Sequence, residues 1–174
     1  MKAWYAFHTK PRCEFLAYRV LTAHYITAYL PLYCPAGKGS AVPLFPRYLF
    51  VRCDLAEEDG TIIRHMRGLG EIVAFGGQAA IVPEEGIRLI LERERLSGLS
   101  PEGDQGISGP LAGLAGSLSP STSARARVQA LTAFLRETNE LAAGQERPPE
   151  QPVQGMPRLR RWTRGHGRRI RYED

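Results

Sequence analysis

The side chains that could carry covalent or metal chemistry are few and widely spaced in this sequence. Its four histidines are His8, His24, His65 and His166. Its three cysteines are Cys13, Cys34 and Cys53. Neither set has the spacing of a metal site, and an odd number of separated cysteines argues against a disulfide framework. We therefore predict no catalytic residue, no metal and no cofactor, and we interpret the cysteines as free thiols.

Residues 47–54 form the segment with the most informative pattern. Side chains alternate across a β-strand, so Leu49, Val51 and Cys53 should point to one face of a sheet. Tyr48 and Phe50 should then point to the other face. Aromatic clusters of this kind are typical anchors of protein interfaces, and we favour that interpretation. The alternative is ordinary core, covered by a loop or by the second half of the chain. Both interpretations hold if that half masks the aromatic patch until a partner displaces it.

Residues 1–96 contain the elements that must position this strand. Strands are predicted over residues 4–9, 26–34, 47–54 and 71–75, and residues 35–43 should form a hairpin tip. Helices are predicted from Pro11, from a cap at residues 59–61 through Met66, and from Pro83. The first helix should bury one face, formed by Cys13, Leu16, Ala17, Val20, Leu21 and His24.

The order β-α-β-β-α-β-α predicts an α+β fold of the ferredoxin-like split βαβ type. Such a domain has one antiparallel sheet. We expect helices on one of its faces, while the other face is left to solvent or to a partner. This topology serves many functions, so it does not by itself decide what the protein does.

Composition indicates a folded chain without a membrane segment. Hydrophobic residues make up 43% of the sequence, which is enough to bury a core. No apolar run approaches the roughly 20 residues of a membrane helix, and the N-terminus lacks the apolar stretch of a signal peptide. We predict a monomer in the cytoplasm, with no membrane partner.

The second half of the chain has weaker patterns. We interpret residues 1–97 as the first domain, 98–102 as a linker and 103–145 as a second domain, whose last part is rich in helix-favouring Ala, Leu, Arg and Glu. Residues 146–174 are predicted to have no fixed structure. Residues 158–174 hold seven arginines and two acids, so they alone carry a net charge of +5. This tail either binds nucleic acid or is a solubilising extension.

Five segments resemble the N-terminal domain of the NusG/RfaH family of transcription factors, and they occur in the expected order. They are Trp4-Tyr5 with Thr9-Lys10-Pro11-Arg12, then residues 43–51 (Pro-Leu-Phe-Pro-Arg-Tyr-Leu-Phe-Val), 67–69 (Arg-Gly-Leu), 73–76 (Val-Ala-Phe-Gly) and 81–83 (Ile-Val-Pro). The match is closer to specialised members of the RfaH type than to general NusG. This resemblance implies a ferredoxin-like domain and a non-enzymatic elongation or antitermination factor.

The resemblance also implies partners and site residues. In this family an apolar face binds the clamp helices of the largest RNA polymerase subunit. The matching residues here are Phe45, Tyr48, Phe50 and Phe75. In specialised members, polar and basic residues contact the non-template DNA strand. Lys10 and Arg67 match such positions, with Arg12 nearby; the alternative is that these are solvated surface cations. The His-Thr-Thr-Thr run of RfaH-type members is replaced by residues 59–62 (Asp-Gly-Thr-Ile), of which only Thr61 is retained.

The family's second domain is a small KOW β-barrel, whose partner is Rho or a ribosomal protein. Residues 109–116 resemble its glycine-rich turn, but a Val-rich strand is missing, and residues 125–135 are at least as helical as extended. Two explanations compete. We favour a degenerate, eroded barrel over a helical segment that lies on the aromatic patch, as the switching domain of RfaH-type members does.

Two other classes of function are less favoured by the sequence. An acylphosphatase-like enzyme needs a phosphate-binding loop after its first strand and an asparagine that positions water. Pro11 removes an amide donor from that loop, and Asn139 is the only asparagine in the chain. A KOW-type RNA-binding protein that acts independently of polymerase should carry basic residues over its folded body. Outside the tail, this chain has no net charge.

Overall fold

The computed structural model describes residues 1–35, 40–56, 62–95, 109–119 and 122–144. The strands are β1 (Ala3–Thr9), β2 (Thr27–Tyr29), β3 (Leu32–Tyr33), β4 (Val42–Pro43), β5 (Tyr48–Cys53), β6 (Leu69–Ile72), β7 (Ala74–Phe75), β8 (Gln78–Ala79) and β9 (Ile81–Val82). The helices are α1 (Glu14–Ala23), α2 (Glu84–Arg95), α3 (Pro110–Ser117) and α4 (Ala124–Gly144). None of these described helices is long and apolar enough to cross a lipid bilayer.

The main sheet has the order β2-β5-β1-β6, and β9 pairs with β1 beside β6. Every pairing in it is antiparallel. Because β5 lies between β1 and β2, the β1-α1-β2 unit is split by an inserted strand, which is the predicted ferredoxin-like arrangement. The outer position is shared by β6 and β9, and the chain makes a small β7–β8 hairpin between them.

The two faces of the sheet bury separate apolar clusters, as the alternation in β5 predicts. Leu49, Val51 and Cys53 pack with Ala17 and Leu21 of α1. We call this set the α1 cluster. Tyr48 and Phe50 belong to the second cluster, on the opposite face. The assignment of the two sets of β5 side chains to opposite faces is therefore confirmed.

The expectation that all helices cover one face is wrong. Ile87 and Ile90 of α2 pack in the same cluster as Phe50, whereas α1 lies on the other face. Helices α3 and α4 also pack on the Phe50 side, through Leu114 and Leu131. We call α3 and α4 the helical pair. The second face is therefore covered within the chain itself.

Several local predictions change in detail. The first helix begins at Glu14 rather than Pro11, because Arg12 adopts a positive φ of 59° that interrupts a helix. Its predicted buried face is partly wrong, since Leu16 and His24 are exposed. The strand predicted over 26–34 is broken into β2 and β3. β3 and β4 pair as expected for a hairpin, but its tip at 36–39 lies outside the described residues, as does the cap predicted at 59–61.

The second half of the chain is helical where it is described. Residues 110–117 and 124–144 form α3 and α4, so the preference for an eroded β-barrel is wrong for these residues, and the helical alternative is correct. Pro110 stands at the start of α3, where its missing N–H group is tolerated. The predicted linker at 98–102 and the tail at 146–174 lie outside the described part, and the division into domains stays a prediction.

Candidate partner-binding surface

The second face of the sheet is built by strand register. Phe50 of β5 pairs with Ala6 of β1 on one side and with Tyr29 of β2 on the other. Two residues along, Arg52 pairs with Trp4. Because partners in register point to the same side of a sheet, these strands place Trp4, Tyr29 and Phe50 on one face. We call the set Trp4, Tyr29, Phe45, Tyr48 and Phe50 the aromatic face.

Ring geometry holds the aromatic face together. The Phe45 ring meets the Phe50 ring edge-on, with 6.2 Å between centroids and 90° between planes. The Tyr29 ring is stacked beside Phe50 at a centroid distance of 6.2 Å. Such arrangements suit the charge distribution of aromatic rings and add to the energy of burial. His8 contacts the Tyr48 ring at 4.6 Å between centroids. The rings at the centre of the face therefore contact one another directly.

One polar tie fixes the edge of the aromatic face to α2. The Tyr29 hydroxyl donates a hydrogen bond to Glu94 Oε2 at 2.6 Å, and the backbone N–H of Leu32 donates to Glu94 Oε1 at 3.2 Å. Burial, together with the hydrogen bond to Glu94 and its negative charge, raises the pKa of Tyr29 far above its ordinary value. Tyr29 is therefore a neutral donor that anchors the end of α2.

The helical pair covers the aromatic face. Residues at helical spacing on α4 face inward: Leu131, Phe134 and Leu135. With this cover in place, Phe50 is 0% exposed, Phe45 is 1% exposed and Tyr48 is 9% exposed. The expectation that these rings form an exposed patch is therefore wrong for this conformation. Their role as polymerase contacts stays a prediction.

Phe75, the fourth predicted polymerase contact, lies at the margin of this surface. It is half-buried in the β7–β8 hairpin and packs against the cluster that contains Phe50. The guanidinium carbon of Arg136, on α4, lies 5.6 Å from the centroid of its ring. A cation over a ring face is a weak attraction at an exposed site. The structure therefore brings Phe75 together with the other three residues, beneath the same helix.

Arg127 ties the N-terminal end of α4 to the sheet domain. Its side chain is only 1% exposed. Its Nε donates to the carbonyl oxygen of Leu44 at 2.9 Å, and its Nη1 donates to that of Thr122 at 2.6 Å. The guanidinium also lies 4.2 Å from the centroid of the Tyr33 ring. Within the described ranges, these groups take the place of a carboxylate partner for the buried guanidinium.

Asn139 ties the other end of α4 to the sheet. Its Oδ1 accepts a hydrogen bond from the backbone N–H of Ile81 at 3.0 Å, and its Nδ2 donates to the Ile81 carbonyl at 3.1 Å. The side-chain amide thereby pairs with β9 as a neighbouring strand would. Between Arg127 and Asn139, Phe134 packs so closely on α2 that a Cβ atom at Gly86 would lie 2.8 Å from its Cζ.

The predicted nucleic-acid residues lie elsewhere, in two adjacent turns. Lys10, Arg12 and Arg67 are all exposed. The backbone N–H of Lys10 donates to the Gly68 carbonyl at 2.9 Å, which joins the turn before α1 to the turn at 67–68. A Cβ atom at Gly68 would lie 3.3 Å from the Cys13 carbonyl, so this turn packs against the start of α1. The structure therefore brings the three cations to one region of the surface.

Sequence reasoning missed the residues that cover the aromatic face. Arg127, Leu131, Phe134, Leu135 and Asn139 share one side of α4 and make its contacts with the sheet domain. Their spacing of three and four residues is the ordinary signal of an amphipathic helix. That signal was available in the sequence. It was outweighed by the expectation of a barrel strand in the same place.

Comparison with known proteins identifies the family. A solved structure concerned with domain interaction in Thermotoga maritima NusG is similar to this chain, with 21% sequence identity and a TM-score of 0.43, over 62% of this chain and 68% of that one. The family described as transcription termination factor NusG matches residues 2–91, which is just over half of the sequence. The chain therefore belongs to the NusG family of transcription termination factors.

Proposed function

We propose that the protein is a transcription elongation or antitermination factor, which binds the clamp helices of RNA polymerase through its aromatic face. The helical pair occupies this face in the free protein, and the polymerase displaces it. Binding then modulates pausing or termination, and no covalent step is required. The protein acts in the cytoplasm, where its polymerase is.

This proposal rests on which part of the chain covers the aromatic face. The aromatic face lies within residues 2–91, which match the family, whereas the helical pair lies beyond them. Phe45 and Phe50 share one cluster with residues of the helical pair and of α2, and no buried residue of that cluster comes from α1. Large apolar patches that a domain cannot cover by itself are typical of interaction sites.

Competition for one surface explains how such a factor would be regulated. When only a small fraction of the molecules is in the binding-competent state, the apparent affinity is reduced in proportion to that fraction. The polymerase would shift the population toward the open state by its preference for it. Once bound to the closed clamp, the factor would stabilise the elongating state of the enzyme over the paused state.

A second contact with nucleic acid completes the proposal. Lys10, Arg12 and Arg67 are exposed near the start of α1, on a part of the surface that the helical pair does not cover. Cations at such a position suit the phosphates of the exposed non-template DNA strand. This contact would be available in both the closed and the open states. The alternative of a KOW-type RNA-binding protein is less favoured, because the described part of its supposed barrel is helical.

The test measures how four full-length chains bind purified RNA polymerase: the wild type, Leu131→Asp, Leu131→Asp with Phe50→Ala, and the control Leu21→Ala. Leu131→Asp places a charge at a fully buried position of α4 and should open the helical pair. We expect its apparent affinity for polymerase to rise at least tenfold. Phe50→Ala in the same background should remove most of that affinity, because it deletes a central ring of the binding surface.

Two controls separate binding from general damage. Leu21→Ala, in the α1 cluster, destabilises the sheet domain without uncovering the aromatic face, so it should not raise the affinity. A polymerase that lacks the tip of its clamp helices should bind the wild-type and Leu131→Asp chains equally poorly. If opening the helical pair leaves the affinity unchanged, and Phe50→Ala has no effect in the opened chain, the proposal is wrong.

A further inference from the structure

We propose that the site now filled by Arg127 is a receptor for a basic side chain of the partner, so that an arginine or lysine of the polymerase replaces Arg127 when the helical pair leaves. This inference rests on the proposed function, because it concerns the same surface. It adds a specific polar subsite, and the chemistry of its ligand, to an interface otherwise described by its apolar rings.

Some groups around Arg127 would leave the sheet domain together with the helical pair, and others would remain on the sheet domain. Thr122, whose carbonyl accepts one hydrogen bond, belongs to the same segment as Arg127 and moves with the helical pair. The Leu44 carbonyl and the Tyr33 ring belong to the part of the chain that matches the family. When the helical pair departs, these two groups remain as one half of a cation site.

The chemistry of the remaining half favours a cation. The Leu44 carbonyl oxygen is a hydrogen-bond acceptor, and it lies 2.9 Å from a guanidinium nitrogen in the closed form. The Tyr33 ring presents its face, which carries negative electrostatic potential, at 4.2 Å from the guanidinium carbon. No carboxylate pairs with Arg127 among the residues that the structure describes. Both remaining groups attract a guanidinium or an ammonium group and disfavour an anion.

The position of this site places it within the proposed interface. Leu44 precedes Phe45, a ring of the aromatic face, and both are buried. A partner helix that covers Phe45 would also remove the Leu44 carbonyl from water. A buried carbonyl without a donor is costly, so the partner gains affinity if it supplies one. A basic side chain supplies the donor and also restores the contact with the Tyr33 ring.

The experiment uses full-length chains that carry Arg127→Met, in which the helical pair no longer uses the site. In this background Tyr33 cannot affect polymerase binding through Arg127. Tyr33→Leu in this chain should then weaken binding to RNA polymerase about tenfold, as expected for loss of a desolvated cation–π contact. Tyr33→Phe is the matched control. It keeps the ring and should bind as the Arg127→Met chain does.

A double-mutant cycle identifies the partner's cation. Basic residues of the clamp helices are changed to glutamine one at a time, and each variant is tested against the Tyr33→Leu and Tyr33→Phe chains. For one of them the loss of affinity should be larger with the Tyr33→Phe chain than with the Tyr33→Leu chain, because the cation and the ring interact. If every loss is equal in the two chains, or if Tyr33→Leu binds as Tyr33→Phe does, water or nothing replaces Arg127 and the inference is overturned. If no chain binds polymerase at all, the proposed function fails with it.

Discussion

Both faces of the central sheet are buried at the centre of β5, yet they are covered in different ways. On one face, Leu49 and Val51 are 0% exposed beneath α1, which joins two strands of the same sheet. On the other face, Phe50 is also 0% exposed, but its cluster combines α2 with the helical pair, which follows the domain after residues 96–108. The α1 cluster can be lost only by unfolding the split βαβ unit. We expect that the helical pair can leave the aromatic face while the sheet remains intact, because none of the strands of the sheet belongs to it.

This comparison shows that burial alone does not distinguish a permanent core from a covered binding surface. The difference lies in which segment provides the cover and how that segment is held. In the described part of the chain, the side chains of Arg127 and Asn139 hold α4 to the sheet domain through bonds to backbone groups, beside apolar packing and the weak contact of Arg136. Local opening of such a unit needs less free energy than global unfolding.

The sharpest test of this difference uses the same substitution on each side. Leu21 and Leu131 are both leucines with 0% exposure, one in the α1 cluster and one in the helical pair. Each change to alanine should cost about 2–5 kcal/mol, through lost transfer energy and a cavity. Leu21→Ala should lower the free energy of global unfolding, and amide hydrogen exchange should speed up throughout the sheet. Leu131→Ala should speed exchange in α3 and α4 while β1 and β5 stay protected.

The exchange patterns of the Leu21→Ala and Leu131→Ala chains must differ if the helical pair opens separately from the sheet. Uniform acceleration of exchange in the Leu131→Ala chain would mean that the helical pair and the sheet unfold as one cooperative unit. Thermal unfolding, monitored by circular dichroism, provides an independent check. The midpoint temperature of the main unfolding transition should decrease more for Leu21→Ala than for Leu131→Ala.

A smaller effect is expected at the contact between α2 and α4. Gly86→Ala adds a Cβ atom that would lie 2.8 Å from Cζ and 2.9 Å from Cε1 of Phe134, so the ring must move. Overpacking of this kind costs about 1–3 kcal/mol. The substitution also favours α2, because alanine has the better helix propensity. We expect faster exchange in α4 and unchanged or slower exchange in α2.

The matched control for Gly86→Ala is a second change that removes the clash. Phe134→Leu shortens the side chain that the new methyl group meets. In the double variant the additional loss caused by Gly86→Ala should disappear. If Gly86→Ala still loosens α4 to the same extent when residue 134 is leucine, the close approach of Gly86 and Phe134 is not its cause.

The smallest expected effect is a dependence on pH from His8, which contacts the Tyr48 ring. Burial, and next the positive charge of Arg47, lower the pKa of His8 below its ordinary value, and Glu71 opposes them. The folded chain therefore takes up a proton at this site less readily than the unfolded chain. Stability is unaffected above the ordinary histidine pKa, is lost as pH falls below it, and levels off below the folded-state pKa.

Urea denaturation between pH 8 and pH 5 measures this dependence. His8→Gln removes the titrating group, so the slope of stability against pH in this range should become shallower than in the wild type. Because other groups also titrate at low pH, the difference between the two chains is the relevant quantity. Identical slopes would show that protonation of His8 is not linked to folding.

Most of the fold of residues 1–96 can be predicted from the sequence, because the patterns in this part are strong and local. Alternation in residues 47–54 correctly separates Tyr48 and Phe50 from Leu49, Val51 and Cys53. Pro83 and the acids after it correctly predict α2. What the patterns do not give is the face on which α2 packs. That choice depends on the crossing of the chain after β9, which periodicity does not encode.

The cover of the aromatic face could be predicted only in part. The inward residues Leu131, Phe134 and Leu135 have helical spacing, and alternation gives the aromatic face itself. The hydrogen bonds of Arg127 and Asn139 have no sequence signal, because each uses backbone groups whose partners can be read only from the packed structure. The exposed or buried state of Phe50 depends on that packing, and for this reason the sequence predicts the surface but not its occupant.

The central claim is that the helical pair and RNA polymerase compete for the aromatic face. Amide hydrogen exchange of the full-length chain, measured with and without saturating polymerase, tests this claim most directly. We predict that exchange in residues 124–144 becomes faster in the complex, while the amides of β5 remain protected. Equal protection of residues 124–144 in the free and the bound chain would contradict the claim, because the helical pair would then still lie on the aromatic face.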